Sequence, residues 1–180
     1  MNIPNLISIF RILLVPVIIW LLAAKRFDEA LILFFIAAIS DGLDGALARL
    51  LKQQTKLGAY LDPIADKALL VSIYIVLGMH GIIPLWVVIA VVFRDILIVC
   101  GTVFLFILGR EVTIQPLKVS KLNTFLQLAL VIYLLIQLSI GIHVPYVIPY
   151  LYWLVGMTTI VSGAAYLSIW LSRLNNKQEL

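Results

Sequence analysis

Apolar segments of about twenty residues, the length needed to cross a bilayer, follow one another along this chain with only short breaks. They run roughly over 6–24, 30–51, 58–79, 84–108, 122–140 and 147–171. Of the 180 residues 63% are hydrophobic and 12% are charged, whereas apolar residues make up about half of an ordinary soluble domain. A chain of this size has too little interior to hide so much apolar surface. In hydrocarbon the backbone has no water to bond to, so each segment must satisfy its own N–H and C=O groups by coiling into a helix. The expectation is an all-α, polytopic membrane protein with six transmembrane helices, forming a single domain over residues 1–180.

The breaks carry helix-end and turn signals: Lys25-Arg26-Phe27-Asp28, Gln53-Gln54-Thr55, His80-Gly81, Gly109-Arg110-Glu111, Gly141 and Pro145. Basic residues alternate between the two sides. Arg49, Lys52, Lys56, Arg110, Lys118, Lys121, Arg173 and Lys177 fall on one side, and only Lys25 and Arg26 on the other. By the positive-inside rule the first set faces the cytoplasm, and both termini with it. Nothing basic precedes Arg11 and no small-residue cleavage site follows Ala24, so the first segment is expected to be kept as a helix. The lack of targeting features fits a bacterial inner membrane. Cys100 is the single cysteine, which excludes an internal disulfide and reads as a packed apolar thiol.

Against this background the acids stand out. Asp41 and Asp44 are three residues apart and Asp62 and Asp66 are four apart, so on helices each pair shares one face. Carboxylates among apolar segments are expensive and usually mark a functional site. Four of them close together would repel one another unless cations intervene. Oxygen ligands without a cysteine–histidine cluster favour Mg²⁺, Mn²⁺ or Ca²⁺ over zinc. Such an arrangement suits chemistry on phosphates, at the cytoplasmic boundary where both a soluble substrate and a lipid headgroup have access. Gly45 and Ala48 share the stripe of Asp41, and their small size admits close approach by another helix or by a nucleotide. Arg49 follows at the helix end, where a cation suits the dipole and could meet a phosphate. The plainer alternative for any one of these acids is a hydrogen-bond partner or a counter-ion to Arg11 or Lys67.

The stretch Asp41-x-x-Asp44-Gly45-x-x-Ala48-Arg49, eight residues, Gly58-x-x-x-Asp62-x-x-x-Asp66 resembles the signature of the CDP-alcohol phosphotransferases, the class-I CDP-alcohol phosphatidyltransferases, at every fixed position. Pro4-Asn5 with Arg11, Leu61-Asp-Pro-Ile-Ala-Asp-Lys67, Arg94-Asp95 and Lys121-Leu-Asn-Thr124 extend the likeness to the phosphatidyltransferase branch. The resemblance implies transfer of a phosphatidyl group from CDP-diacylglycerol to an alcohol, with release of CMP. It implies that Asp41, Asp44, Asp62 and Asp66 hold one or two Mg²⁺ or Mn²⁺ ions and that Asp66 is the catalytic base. Asn5, Asp44, Gly45, Ala48, Arg49 and Gly58 would bind the nucleotide. It also implies a homodimer; no nucleic-acid partner is expected.

The acceptor alcohol is read less directly. Arg94, Arg110, Lys118 and Lys121 are the cations available for a phosphorylated acceptor such as glycerol 3-phosphate. Arg110 and Lys118 serve equally well as positive-inside anchors, and Arg94 could be a structural partner of Asp95. The N-terminal Ile3-Pro-Asn-Leu and the 61–67 segment resemble phosphatidylglycerophosphate synthases. Arg94-Asp-Ile-Leu-Ile-Val and Ser120-Lys-Leu-Asn-Thr-Phe-Leu-Gln127 resemble the cardiolipin synthases of the same family at least as well, whose acceptor is phosphatidylglycerol. The balance leans to glycerol 3-phosphate. Intramembrane carboxylates also line ion paths, which makes a small divalent-cation transporter the remote alternative. Against it, the acids gather at one boundary and no polar ladder continues to the other. A non-catalytic scaffold would require the motif to be a relic although each of its positions is filled.

Overall fold

A computed structural model describes residues 3–50, 56–107, 117–141 and 146–175, with side chains described over 10–40, 67–104, 107, 117–141 and 146–172. Among the described residues the structure is all-helical: α1 Ile3–Ala23, α2 Phe27–Leu50, α3 Lys56–Met79, α4 Leu85–Ile107, α5 Lys118–Ile140 and α6 Val147–Asn175. Each expected apolar segment is a helix. The main differences are at polar ends: α5 starts at Lys118 instead of 122, and α6 runs on to Asn175. Apolar runs mark where lipid or core is met, and helices extend past them wherever the flanking residues tolerate the helical backbone.

The helix ends follow from local chemistry. After α1, Lys25 adopts a left-handed conformation (φ 59°). The Arg26 N–H donates to Leu21 C=O (2.9 Å) and the Lys25 N–H to Leu22 C=O (3.0 Å), the paired bonds of a Schellman cap. Gly81 closes α3 in the same way (φ 70°), with the Ile82 N–H on Leu77 C=O and the Gly81 N–H on Gly78 C=O, both 2.9 Å. Pro84 stands immediately before α4, where the missing N–H costs nothing because first-turn N–H groups lack helical partners.

The helices fall into two compact units. The first comprises Met1–Ile82 with Val131–His143. In it α1 packs against both α2 and α3, with Ile18, Leu22, Phe34, Ile73 and Leu77 buried. The Schellman turn makes α1 and α2 antiparallel. His80 Nε2 lies 3.1 Å from Leu22 C=O, so α1 and α3 finish at the same end. Ser139 Oγ donates to Asp28 Oδ1 (2.5 Å), which brings the close of α5 to that end as well.

The second unit comprises Ile83–Leu130 with Val144–Leu180, and α4 packs on α6 within it. Two tryptophans set against glycines fix the register. An added Cβ on Gly156 would lie 2.2 Å from the Trp86 ring, and one on Gly101 would lie 2.1 Å from Trp170. Trp86 also packs at a tilt against Trp153, ring centroids 5.0 Å apart and planes 40° from parallel. Residues 86 and 101 of α4 thus meet 156 and 170 of α6, so the two helices run parallel. On α5, Asn123 pairs with Thr158 and Thr159 and Ser120 lies at the level of Arg94, so α5 runs antiparallel to α6.

Three helical stretches are long and apolar enough to cross a membrane among the described residues: Leu85–Phe104, Lys118–Ile140 and Val147–Ser172. Phe10–Ala23 and Lys67–Met79 are shorter apolar stretches. On α4, Leu85, Ile89, Phe93, Ile96, Val99 and Val103 are all exposed at three- and four-residue spacing, a continuous outward apolar stripe. A surface of this kind belongs in lipid, and the chain is an integral membrane protein.

The tryptophan–glycine notches give a direct test. Gly101→Leu and Gly156→Leu each place atoms where an indole ring sits, and overpacking of this kind costs about 1–3 kcal/mol. Thermal unfolding of either variant in detergent should begin at lower temperature than that of the unsubstituted protein.

Candidate active site

The acid motif lies on α2 and α3, and both helices are continuous through it. The three- and four-residue spacings therefore act as expected, placing Asp41 with Asp44 and Asp62 with Asp66 on one helical face each. Their depths also agree. Asp41 follows Asp28 by thirteen residues and Asp66 precedes His80 by fourteen. At about 1.5 Å per residue, both lie about 20 Å from the end of the unit marked by Leu22, Asp28 and His80. Asp44, Asp62 and Asn5 fall at about 24–27 Å by the same measure. The antiparallel α1–α2 turn and the parallel α1–α3 pair thus bring residues distant in sequence to similar depths. The side chains of Asn5, Asp41, Asp44, Ala48, Arg49, Asp62 and Asp66, and the surroundings of Gly45 and Gly58, lie outside the described residues. Among the described side chains no group of three or more His, Cys, Asp or Glu could hold a metal. Arg11, on α1, is buried in the same unit.

Of the four cations expected at the acceptor, Arg110 lies outside the described residues, and the other three are in the second unit. Arg94 is 3% exposed and Asp95 7%. The Arg94 Nη1 donates to Asp95 Oδ1 at 2.6 Å. Its Nε and Nη2 both reach Ser162 Oγ, at 3.2 and 2.8 Å, and Nη2 also donates to Ser120 Oγ. The Tyr166 ring lies 6.0 Å from the guanidinium carbon, within cation–π range. Buried charge is tolerated only with such a set of partners. Lys118 and Lys121, by contrast, are exposed on the first turn of α5. They are three residues apart and so share a face, where the helix dipole adds partial positive charge.

A second polar set continues this seam. Thr158 Oγ1 (3.0 Å) and Thr159 Oγ1 (2.9 Å) donate to Asn123 Oδ1, and Gln127 Nε2 reaches Thr159 Oγ1 at 3.4 Å. Asn123, Gln127, Thr159 and Ser162 are all buried. Sequence reasoning quoted Ser120 only within a family-like segment, with no role of its own, and passed over Thr158, Thr159 and Ser162. The signal was present: Ser120, Asn123, Thr124 and Gln127 recur at three- and four-residue spacing inside an apolar helix, and polar side chains there face other helices, not lipid.

The sequence profile described as CDP-alcohol phosphatidyltransferase matches residues 1–167. The chain belongs to the CDP-alcohol phosphatidyltransferase family. Family members with similar sequences carry two kinds of name. A rice chloroplastic CDP-diacylglycerol–glycerol-3-phosphate 3-phosphatidyltransferase is 35% identical over 92% of this chain and 56% of its own length. The enzyme of the same name from Aquifex aeolicus is 34% identical over 94% of this chain and 92% of its own. A probable cardiolipin synthase (CMP-forming) from Drosophila melanogaster is 34% identical over 92% of this chain and 56% of its own. The chain therefore spans little more than half the length of the rice and fly relatives. The matched region contains both acid pairs, Arg94, Lys118 and Lys121.

The Arg94–Asp95 pair carries its own prediction. Asp95→Ala strands a buried guanidinium, a change that costs about 3–5 kcal/mol, whereas replacing both partners by apolar residues of similar size is often close to neutral. Thermal unfolding in detergent should therefore rank the double variant Arg94→Met/Asp95→Leu above Asp95→Ala.

Proposed function

We propose that this chain transfers a phosphatidyl group from CDP-diacylglycerol to glycerol 3-phosphate, giving phosphatidylglycerophosphate and CMP. The observation that carries the reading is the placement of the acid pairs of α2 and α3 at one depth of one helical unit, in a chain of the CDP-alcohol phosphatidyltransferase family. The Aquifex relative, matched over nearly its whole length, bears the name of this activity. Six spans with both termini in the cytoplasm fit the eight-to-two imbalance of basic residues. They also fit the alternation of helix directions within each unit. The membrane is then a bacterial inner membrane, the acids face the cytoplasm, and the working form is a homodimer of single-domain chains.

Asp41, Asp44, Asp62 and Asp66 supply hard oxygen donors and no soft ones, which suits Mg²⁺ or Mn²⁺. One or two such ions, when bound, would offset the charge of the pyrophosphate and of the departing CMP. The acceptor hydroxyl oxygen bonds to the β-phosphorus as the bond to the CMP phosphate breaks, and Asp66 takes the hydroxyl proton. Gly45, Ala48 and Gly58 leave room for the nucleotide, which Asn5 and Arg49 contact. Lys118 and Lys121 provide the countercharge for the acceptor phosphate.

A second reading takes phosphatidylglycerol as the acceptor. It is favoured by the engagement of Arg94 with Asp95 and two serines, which removes one cation from the acceptor set, and by the fly relative.

Purified protein in detergent, given CDP-diacylglycerol, Mg²⁺ or Mn²⁺ and either acceptor, should release CMP, and the lipid product identifies the alcohol. No release with any alcohol would overturn the enzyme reading. Asp66→Asn should lower turnover by about 10²–10⁴-fold, the usual contribution of a general base, while the protein inserts normally. Chelation of divalent cations should stop CMP release, and readdition of Mg²⁺ or Mn²⁺ should restore it.

A further inference from the structure

Arg94 touches each helix of its unit. Asp95 is its neighbour on α4, Ser120 lies on α5, and Ser162 and Tyr166 lie on α6. Four hydrogen bonds leave its fork toward these partners, with Nε, Nη1 and Nη2 all engaged. A guanidinium this buried and this committed holds helices together and presents no open fork to an incoming anion.

Its hold on α5 falls at an informative place. Ser120 is the third residue of that helix, between Lys118 and Lys121. Leu117, just ahead, packs against the Tyr166–Trp170 pair, and the Trp170 ring is itself set against Gly101. The Leu117 C=O accepts from the Lys121 N–H at 3.1 Å. The first turn of α5 is therefore pinned on its inner flank by Leu117 and Ser120, while Lys118, Lys121 and Phe125 line an exposed flank. Lysine is a point charge on a flexible stem. How well two of them converge on one phosphate depends on how firmly their backbone is held.

We propose that Arg94 is a positioning residue: through Ser120 it fixes the first turn of α5, and so sets Lys118 and Lys121 as the cationic pair that receives the phosphate of the acceptor. The pinning of α5 stands on the contacts alone. Its consequence for the acceptor rests on the phosphatidyltransferase reading, and holds for the phosphate of glycerol 3-phosphate or of phosphatidylglycerol.

The test uses Ser120→Ala, Ser162→Ala, Arg94→Lys and Arg94→Met in the full chain, with Gly156→Ala as a packing defect elsewhere on α6. Two quantities are read: steady-state kinetics against each substrate, and the rate of tryptic cleavage after Lys118 and Lys121, identified by mass spectrometry. Ser120→Ala should raise KM for whichever acceptor is turned over by about tenfold, a loss in keeping with slight misplacement of binding groups. KM for CDP-diacylglycerol should stay unchanged, and cleavage at both lysines should quicken. Ser162→Ala should act in the same direction. Arg94→Lys keeps the charge but cannot reach all three partners, so it should resemble Arg94→Met. Gly156→Ala should lower thermal stability without a selective change in acceptor KM.

Recovery of acceptor KM by Arg94→Lys would make Arg94 a direct ligand and overturn the proposal. So would a Ser120→Ala protein with unchanged acceptor KM and unchanged cleavage, or one in which KM for both substrates rises alike. If the unsubstituted protein releases no CMP with any acceptor, the functional reading fails. The cleavage rates then still decide whether Arg94 pins α5, and unchanged rates in Ser120→Ala and Arg94→Met would overturn that as well.

Discussion

Hydrocarbon accepts no hydrogen bond, and a polar group inside a helical membrane protein must find its partner within its own helix, on another helix or at an edge. Most of the specific geometry in this chain follows from that constraint. Apolar side chains alone associate only loosely in lipid, because lipid tails are as apolar as leucine. What gives the second unit a definite register is a short list of exceptions: Arg94 with its acid and two serines, Asn123 with two threonines, and two tryptophans fitted to glycines. Each permits one alignment of its helices and resists sliding.

The same constraint sorts the charges into kinds. Arg94 and Asp95 neutralise each other within one helix, and Arg94 turns its remaining capacity toward neighbouring hydroxyls, which is how a structural charge behaves. Asp41, Asp44, Asp62 and Asp66 are four like charges spaced to share helical faces in pairs, with Arg49, Lys52 and Lys56 in the stretch between the pairs. Lys118 and Lys121 are of another kind, exposed at a helix start.

Much of the fold was legible beforehand because it rests on local chemistry. The six apolar runs became six helices, and Lys25-Arg26, His80-Gly81 and Gly141 ended helices where turn chemistry said they would. The acid spacing was legible for the same reason, since three and four residues along any α-helix return to one face. Arg94 was only half legible. Its proximity to Asp95 hinted at an ion pair, but a cation inside an apolar run looked more like part of an acceptor site, with Arg110, Lys118 and Lys121 further along the chain. Nothing in a linear sequence says that Ser120 and Ser162, 26 and 68 residues away, meet the same guanidinium.

The sequence by itself determined that the chain is helical, that it belongs in a membrane, and where its four clustered acids lie along their helices. Hydrophobicity, period and turn chemistry are local properties, readable residue by residue. Only the tertiary structure decided that α4 and α6 run parallel at the register set by Gly101 and Gly156, that Arg94 faces inward across three helices, and that the acids of α2 and α3 share one depth. Those outcomes depend on side-chain volume and on which polar groups meet across helices, and such pairings exist only once the helices are packed.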